Sequence, residues 1–292
     1  RVGQSSVQIP GQISMQFNTQ LDLRFHFDLY AGVRPIRTFR GLPIPLSHPL
    51  AREIDLVLIR ENTEGLFHAR GRAEIRGMPG SESAVLDTMC ISRRGTERIC
   101  EYAFRYAERR AAAKGGSARV TSIDKANVFA SMAFWRRIFD ETASRHPAVE
   151  ASSAYVDAMA LNLLMKPWTY DVMVTENMFG DILSDLIAGL VGGMGMAPSG
   201  DIGDHHGLFQ PAHGTAPDIM GQGKANPTAM ILSAAMMVGW LGERSGDSRL
   251  EDGMILIEKA IETVFVEGNI RPMEFGGPHG SSAVTTAILE RI

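Results

Sequence analysis

Residues 55–62, DLVLIREN, place four consecutive aliphatic side chains directly before an arginine, a glutamate and an asparagine. A short continuous apolar run that ends at polar residues predicts a buried β-strand. Two further strand candidates and three stretches with helical spacing alternate along the chain, at residues 97–110, 118–123, 130–143, 170–175 and 181–190. Because strands that alternate with helices are typical of α/β proteins, we predict that fold class.

Polar residues follow all three strand candidates, at positions 60–62, 124–127 and 176–177. In open α/β sheets, ligands bind beyond the carboxyl ends of the strands, so three such ends predict a binding site. The alternative is that each strand simply leaves the core into a polar loop. The residue pattern alone leaves both interpretations open.

The bulk composition excludes several classes of protein. The 292 residues are 45% hydrophobic and 21% charged, which is ordinary for one large or two moderate globular domains. A net charge of −4 without a long Lys/Arg run argues against a nucleic-acid partner.

Two cysteines, Cys90 and Cys100, are too few for a disulfide framework and predict reduced core thiols in a cytoplasmic protein. No apolar run reaches the roughly 18 residues of a membrane span, so we predict that residues 228–240 form a buried core helix.

A set of motifs runs through most of the chain in a fixed order. They read LRFHFDLYAGVRP, RENTEG, DKANV, YVDAM, NMFGDILSD, HGTAPD and ANPT, at residues 23–35, 60–65, 124–128, 155–159, 177–185, 213–218 and 225–228. Together, in order and spacing, they resemble the isocitrate/isopropylmalate dehydrogenase family, which includes homoisocitrate and tartrate/D-malate dehydrogenases.

The resemblance implies an isopropylmalate dehydrogenase-like α/β fold of two domains, with a central mixed sheet flanked by helices. Residues 1–30 and 192–292 would form the large, nucleotide-side domain. Residues 31–191 would form the small domain, which carries the dimer contact and the catalytic residues. The family's opening strand and glycine-rich turn have no counterpart before residue 23, so we expect the N-terminal strands to be absent and further residues to precede Arg1.

The family reaction removes a hydride from C2 of a malate-type hydroxy acid and then releases the C3 carboxylate as CO2. The second step needs a divalent cation, and Mg2+ or Mn2+ requires hard oxygen ligands. By resemblance, Asp181 and Asp185 bind this cation, joined by Asp157 from the second subunit of a homodimer. The spacing places Asp181 and Asp185 on one face of a helix. From the residues alone, Asp181 and Asp157 could instead be helix N-caps, and Asp185 a solvated side chain.

The remaining site residues also come from the resemblance. Arg24, Arg34 and Arg60 would clamp the substrate carboxylates, for which planar guanidinium groups are well suited. Lys125 would act as the base that takes the hydroxyl proton, and Asn127 would lie near the nicotinamide. Apart from their motifs, nothing distinguishes these residues from solvated loop side chains.

The cofactor prediction depends on the HGTAPD motif. The resemblance assigns the adenosine part of the cofactor to His213, Gly214, Thr215, Ala216, Asp218 and Asn226. A carboxylate at Asp218 can accept hydrogen bonds from ribose hydroxyls and would repel a 2′-phosphate, so we predict NAD rather than NADP. Asn226 followed by Pro227 is also a suitable helix start.

One position departs from the family motif. The tyrosine that the family places two residues after the RENTEG glycine, and uses as a general acid, is Phe67 here, and such a loss costs roughly 10²–10⁴ in rate. The resemblance assigns substrate selection to the segment just before Arg24, where Asn18 and Gln20 indicate a polar or small side group. We predict NAD-dependent oxidative decarboxylation of a (2R)-2-hydroxy-3-carboxy acid such as 3-isopropylmalate, tartrate or D-malate. The alternatives are a non-catalytic or regulatory family member and a dehydrogenase that does not decarboxylate.

Overall fold

The computed structural model of the chain describes residues 6–7, 15–16, 19–78 and 81–292. Their strands are β1 (Ser6–Val7), β2 (Met15–Gln16), β3 (Ala31–Arg37), β4 (Asp55–Glu61), β5 (Glu74–Met78), β6 (Ser81–Leu86), β7 (Arg119–Asp124), β8 (Glu150–Tyr155), β9 (Val172–Thr175), β10 (Pro198–Ile202) and β11 (Gly207–Pro211). Their helices are α1 (Thr19–His26), α2 (Arg93–Lys114), α3 (Ala130–Ala143), α4 (Val156–Met165), α5 (Asn177–Leu190), α6 (Thr228–Ser245), α7 (Ser248–Glu267) and α8 (Ser281–Leu289). The predictions for Asn18 and for most of residues 1–18 lie outside the described residues.

Seven strands form one mixed sheet in the order β11-β10-β3-β4-β9-β7-β8. β4, β9, β7 and β8 run parallel to one another, whereas β3, β10 and β11 pair antiparallel with their neighbours. The three strand candidates of the sequence are β4, β7 and β9, which are adjacent in this sheet. The predicted α/β fold with a central mixed sheet is therefore confirmed.

The aliphatic run of β4 is buried on both faces of the sheet. Val57 and Ile59 pack in one core cluster with residues of α2 and α3. Leu56 and Leu58 point to the other face and pack in a second cluster with residues of α4 and α5. Because helices cover both faces of a parallel sheet, its central strands must be apolar at every position, which explains the continuous run.

The helices agree with the predictions in their interiors and differ at their ends. α3 begins and ends at the predicted residues. α2 starts before the predicted range, because the Ser92 hydroxyl accepts a hydrogen bond from Gly95 N at 3.0 Å and caps the helix. α5 starts at Asn177, where the Glu176 carboxylate accepts from the amides of Met178 and Phe179. The spacing of apolar residues could not show these polar first turns.

The prediction of a buried core helix at residues 228–240 is wrong for one side of α6. One side packs against β10, β11 and α7, and there Ala229 and Ala235 are fully buried. Met230 and Met237 lie elsewhere on the helix and are 49% and 40% exposed. The apolar composition of a helix does not show what fraction of its surface packs against neighbouring elements. No helix among the described residues is long and apolar enough to cross a membrane.

The two cysteines differ in their surroundings. Cys100 is a free thiol that is fully buried in α2. Cys90 is also free but only half-buried, and its backbone forms an isolated bridge with Gly65. The prediction of core thiols is therefore confirmed for Cys100, whereas Cys90 lies at the edge of the core.

The predicted domain boundary crosses a continuous sheet. β3, from the predicted small domain, pairs with β10, from the predicted large domain, with Val33 opposite Gly200. A third core cluster, which includes Leu232, Ile261 and Phe265, lies among α6, α7 and α8. The division into residues 1–30 with 192–292 and residues 31–191 stays a prediction.

Candidate active site

The carboxyl ends of β4, β9 and β7 lie side by side at one edge of the sheet. Arg60 of β4 is opposite Thr175 of β9, which in turn is opposite Ile123 of β7. The polar residues after these strands therefore meet along this edge, as the sequence predicts. Arg60 and Asn177 are both buried there. A strand that simply left the core would not require buried polar side chains, so the binding-site interpretation is favoured.

A cavity of about 200 Å³ opens at this edge. Its walls are formed by Gln20, Leu21, Arg24, Arg34, Arg60, Phe67, Asp181, Ser184, Asp185, Ser199, Gln210 and Ala212. The structure thus brings together all three predicted substrate arginines, two predicted metal ligands and Phe67. Lys125, Asp157 and Asn127 do not line this cavity, and neither do the residues of the nucleotide loop.

Arg60 is fixed by neighbours from α5. Its Nε and Nη2 donate to Asn177 Oδ1 at 2.9 and 2.8 Å, and its Nη1 donates to Asp181 Oδ1. The side chain can lie against α5 because residue 180 is glycine: a Cβ there would stand 2.6 Å from Arg60 Cγ. Burial lowers the pKa of Arg60 to about 10, and the Arg24 charge acts in the same direction. Arg60 therefore stays cationic at neutral pH.

Arg24 and Arg34 share a buried carboxylate, Asp201 of β10. Asp201 Oδ2 accepts from Arg24 Nε at 2.8 Å and from Gln20 Nε2 at 3.4 Å. Its Oδ1 accepts from Arg34 Nη2 at 3.1 Å and from Asn62 Nδ2 at 3.0 Å. Burial by itself would raise the pKa of Asp201, but the charges of Arg34 and Arg24 outweigh it and hold the pKa below its ordinary value. Asp201 is therefore a permanent anion behind the cavity wall.

Sequence reasoning missed Asp201 together with Ser199 and Gln210 of the cavity wall. Asp201 is the one charged residue in the glycine-rich segment 189–203, and a lone charge in such a segment is a usable signal for a buried partner. Ser199 lies two residues before Asp201 on the same face of β10. Its buried hydroxyl has no hydrogen-bond partner within the described part of the chain. Gln210 carries no such signal in the sequence.

Asp181 and Asp185 project from α5 at the cavity. The N-cap of α5 is Glu176 and that of α4 is Tyr155, so the alternative of N-caps at Asp181 and Asp157 is wrong. Partial burial raises the pKa of Asp185, and the negative charge of Asp181 raises it further. Two adjacent carboxylates that repel each other fit a divalent cation, for which they are hard oxygen ligands.

A cation site at Asp181 and Asp185 would be incomplete within one chain. Over residues 19–78 and 81–292, no group of three or more His, Cys, Asp or Glu side chains is arranged to hold a metal ion. Asp181 and Asp185 supply two carboxylates, and Asp157 does not join them in the same chain. A third carboxylate for a cation at this position would therefore have to come from elsewhere.

Lys125 pairs with Asp157 away from the cavity. Lys125 Nζ donates to Asp157 Oδ1 at 2.5 Å, and the Asp157 side chain is 69% exposed. Asn127, in the loop after β7, is exposed as well. The Lys125 side chain is 22% exposed, and its role as the base that takes the hydroxyl proton stays a prediction.

The predicted nucleotide loop lies on the surface. Gly214, Thr215, Ala216 and Asp218 are exposed, and His213 is half-buried. Ala216 has a φ of +42°, a left-handed conformation that is uncommon outside glycine and that turns the chain sharply before Pro217. An exposed carboxylate at Asp218 is available to a ligand that binds along this loop.

The Asn226 side chain forms hydrogen bonds with interior neighbours and does not lie on the surface of the loop. Its Nδ2 donates to Glu274 Oε2 at 2.9 Å, and its Oδ1 accepts from Thr228 N at 3.2 Å. The predicted helix start at Asn226 and Pro227 is confirmed, since α6 begins at Thr228. The structure therefore gives the Asn226 side chain a capping role, and its predicted contact with adenosine stays a prediction.

Phe67 occupies the cavity wall beside Arg60. The Arg60 guanidinium carbon stands 5.1 Å from the centre of the Phe67 ring, a cation–π distance. The ring has no proton to donate, so this part of the wall provides no acid.

Comparison with known proteins identifies the family. The family model of isocitrate/isopropylmalate dehydrogenase matches residues 5–292. The 3-isopropylmalate/3-methylmalate dehydrogenase of Methanocaldococcus jannaschii is 40% identical over 92% of this chain and 75% of its own length. The isocitrate/homoisocitrate dehydrogenase of Thermus thermophilus is 42% identical over 92% of this chain and 73% of its own length. The crystal structure of isocitrate dehydrogenase from Methylococcus capsulatus superposes with a TM-score of 0.84 at 37% identity, covering 94% of this chain and 76% of that one. The chain belongs to the isocitrate/isopropylmalate dehydrogenase family.

Proposed function

We propose that this dehydrogenase carries out the NAD-dependent and Mg2+- or Mn2+-dependent oxidative decarboxylation of a (2R)-2-hydroxy-3-carboxy acid. Candidate substrates are 3-isopropylmalate, tartrate and D-malate. The observation that carries the proposal is a single cavity lined by three arginines and two aspartates, Arg24, Arg34, Arg60, Asp181 and Asp185. Guanidinium groups bind carboxylates, and carboxylates bind divalent cations, so this wall suits an anionic acid beside a cation.

The arginines would hold the acid in register. Arg24 uses only its Nε for Asp201, and its two terminal nitrogens have no hydrogen-bond partner among the described residues. Arg60 is fixed by Asn177 and Asp181 and lines the cavity. A clamp that is already rigid before binding loses little entropy when it orients the substrate.

Asp181 and Asp185 would hold the cation, with Asp157 of a second copy as the third carboxylate. When bound, NAD would supply the hydride acceptor and the cation would supply positive charge to balance the negative charge left as CO2 departs. Lys125 of the second copy would take the proton from the substrate hydroxyl at its Nζ atom. Its hydrogen bond to Asp157 Oδ1 keeps these two residues together, so both would enter the neighbouring cavity as a unit.

An exposed apolar face on α4 supports a homodimer. Leu161, Leu164 and Met165 are 60%, 47% and 66% exposed, and helical spacing places them on the same side of α4 as Asp157. Large apolar side chains that are exposed together mark a contact surface. Contact between two copies along this face would bury these side chains and bring Asp157 of one copy toward the other copy.

NAD would bind along the loop from His213 to Asp218. The exposed Asp218 carboxylate would accept hydrogen bonds from the adenosine ribose and disfavour a 2′-phosphate. The exposed loop amides around Gly214 and Thr215 would meet the adenosine. Replacing NAD by NADP in the assay tests this preference directly.

Phe67 favours a second candidate function, dehydrogenation without decarboxylation. The family's proton donor is absent from the cavity wall, and the Phe67 ring faces Arg60 instead. Oxidation at C2 does not require that proton, whereas the product of decarboxylation does. A dehydrogenase of this kind would release a keto acid that still carries its C3 carboxylate.

The decisive experiment measures NADH and CO2 together. Purified protein with Mn2+ and NAD is given tartrate, D-malate, 3-isopropylmalate or isocitrate, and both products are quantified. Equal amounts of NADH and CO2 from at least one acid are the expected result. NADH without CO2 would support the second candidate. Acid binding without either product would reject turnover and leave a regulatory family member.

A further inference from the structure

Asp201 is an anion inside the wall of a cavity that otherwise collects cations. It is fully buried, and it accepts hydrogen bonds from Arg24, Arg34, Asn62 and Gln20. A carboxylate offers about four lone-pair sites, so these donors satisfy it completely. Asp201 does not line the cavity itself. It therefore neutralises the arginines from behind without competing for the ligand's position.

The balance of charge at the cavity depends on this residue. Arg24, Arg34 and Arg60 bring three positive charges, and Asp201 cancels one of them, so two remain for a ligand. In the assembled site, as it stands before Lys125 gives up a proton to serve as the base, the other charged groups cancel in pairs: two carboxylates with a divalent cation, and Asp157 with Lys125. A ligand with two carboxylates matches what remains, whereas a third carboxylate has no guanidinium charge left to meet it.

We propose that Asp201 selects the class of substrate: it acts as a built-in carboxylate, so that the site accepts hydroxy acids with two carboxylates and disfavours those with three. This inference rests on the proposed function, because it assigns the cavity to the substrate acid. The site would therefore bind malate-, tartrate- and isopropylmalate-type acids, which carry two carboxylates, in preference to isocitrate- and homoisocitrate-type acids, which carry three. Asp201 acts through Arg24 and Arg34 and is a specificity residue, not a catalytic one.

The geometry determines which variant tests the role of Asp201. Asp201→Asn would turn an amide NH2 toward either Arg24 and Gln20 or Arg34 and Asn62, so donors would face donors. Asp201→Ser removes the charge and leaves space beside both arginines for water or for a ligand carboxylate. The matched control is Asp171→Ser, since Asp171 also accepts from a partly buried arginine, Arg110 at 2.5 Å, but lies outside the cavity wall.

Binding is measured without turnover, by titration calorimetry with Mn2+ and without NAD, so that neither acid is oxidised. We expect the unaltered protein to bind D-malate at least about tenfold more tightly than isocitrate, because an unmatched charge strongly disfavours the wrong ligand. Asp201→Ser is expected to strengthen isocitrate binding by about tenfold and to abolish or reverse the preference. Asp171→Ser should keep the preference of the unaltered protein.

Several results would overturn the inference. The first is that the unaltered protein binds isocitrate as tightly as D-malate or more tightly. The second is that a folded Asp201→Ser variant keeps the preference for D-malate. The third is that the unaltered protein binds neither acid. If Asp201→Ser does not fold, the preference of the unaltered protein decides alone. If D-malate is preferred but no NADH forms once NAD is added, the proposed function fails while the assignment of Asp201 stands.

Discussion

The cavity arginines and the Lys125–Asp157 pair belong to one proposed site but are held in different ways. In the cavity half (Arg24, Arg34, Arg60, Asp181 and Asp185), the arginines are buried, with Arg24 and Arg60 only 5% and 3% exposed, whereas the Asp181 side chain is 53% exposed. In the surface half (Lys125 and Asp157), the side chains are 22% and 69% exposed. Buried groups that bond to one another are placed by the single chain. The Lys125–Asp157 pair lies outside the cavity of its own chain and leaves the Asp157 side chain exposed, which is the physical reason to expect the two halves of one site to come from different copies.

The largest expected effect comes from breaking the cavity half at Arg60. Arg60→Gln leaves Asn177 Oδ1 and Asp181 without their donors, so we expect kcat/KM to fall by roughly 10³. The free energy of unfolding should fall by about 2 kcal/mol, because buried acceptors lose their hydrogen bonds. Steady-state kinetics and urea denaturation measure the two effects.

The control for Arg60→Gln is Arg76→Gln. Arg76 pairs with Glu74, and the two side chains are 61% and 62% exposed. An exposed ion pair contributes little, so stability should stay within about 0.5 kcal/mol and activity should not change. Activity of Arg60→Gln within tenfold of the unaltered protein would show that the cavity half does not bind the substrate.

The second effect tests whether the cavity half lacks an acid. Phe67→Tyr would place a phenol hydroxyl on the cavity wall, and we expect decarboxylation to rise by about 10² in rate, since a positioned general acid contributes on that order. CO2 release in the presence of Mn2+ is the measurement. Phe134→Tyr is the matched control, because the Phe134 ring also lies 5.1 Å from an arginine, Arg137, but outside the cavity. An unchanged or lower rate for Phe67→Tyr would mean that the site uses another acid.

A third test separates the halves by breaking the dimer contact. Leu161→Glu puts a charge on the exposed face of α4, where Leu161 is 60% exposed. A surface substitution should alter monomer stability by no more than about 0.5 kcal/mol. We expect a shift from dimer to monomer in analytical ultracentrifugation and a loss of roughly tenfold or more in activity, because the surface half no longer reaches a cavity.

Leu289→Glu is the control for that contact. Leu289 is 65% exposed at the end of α8, away from α4 and α5. Both the oligomeric state and the activity should be those of the unaltered protein. A fully active monomer of Leu161→Glu would refute the shared site.

The smallest expected effect is the activity that is recovered when two inactive variants are mixed. Arg60→Gln breaks only the cavity half and Asp157→Asn only the surface half. In a mixed dimer one of the two sites would be intact, so random reassociation should restore roughly a quarter of the normal activity. Each variant alone serves as the control. No recovery, despite mixed dimers in native mass spectrometry, would place both halves in the same chain.

Short-range features of this fold were accessible from the sequence. The aliphatic run of β4 predicted a buried strand, and α3 was predicted with its observed bounds. The polar strand ends predicted the edge where the cavity lies, and the family motifs predicted six of its wall residues. In each case the signal resides in neighbouring residues, which share one element of local structure.

Longer-range features were not accessible in that way. Asp201 contacts Arg24 and Arg34 across 177 and 167 residues of sequence. No local spacing encodes such a contact, and the glycine-rich segment around Asp201 gave little sign of a strand. For the same reason the sequence did not show that Lys125 pairs with Asp157, which lies 32 residues further along the chain.

The sequence by itself indicated the family, the alternation of strands and helices in the central part of the chain, and the chemical types at the site. It did so because periodicity and motif spacing are properties of adjacent residues. Only the tertiary structure decided which of these residues share a cavity, which remain at the surface, and that a buried aspartate neutralises two of the arginines. These outcomes depend on how the strands are ordered in the sheet, and strand order is set by packing between distant segments.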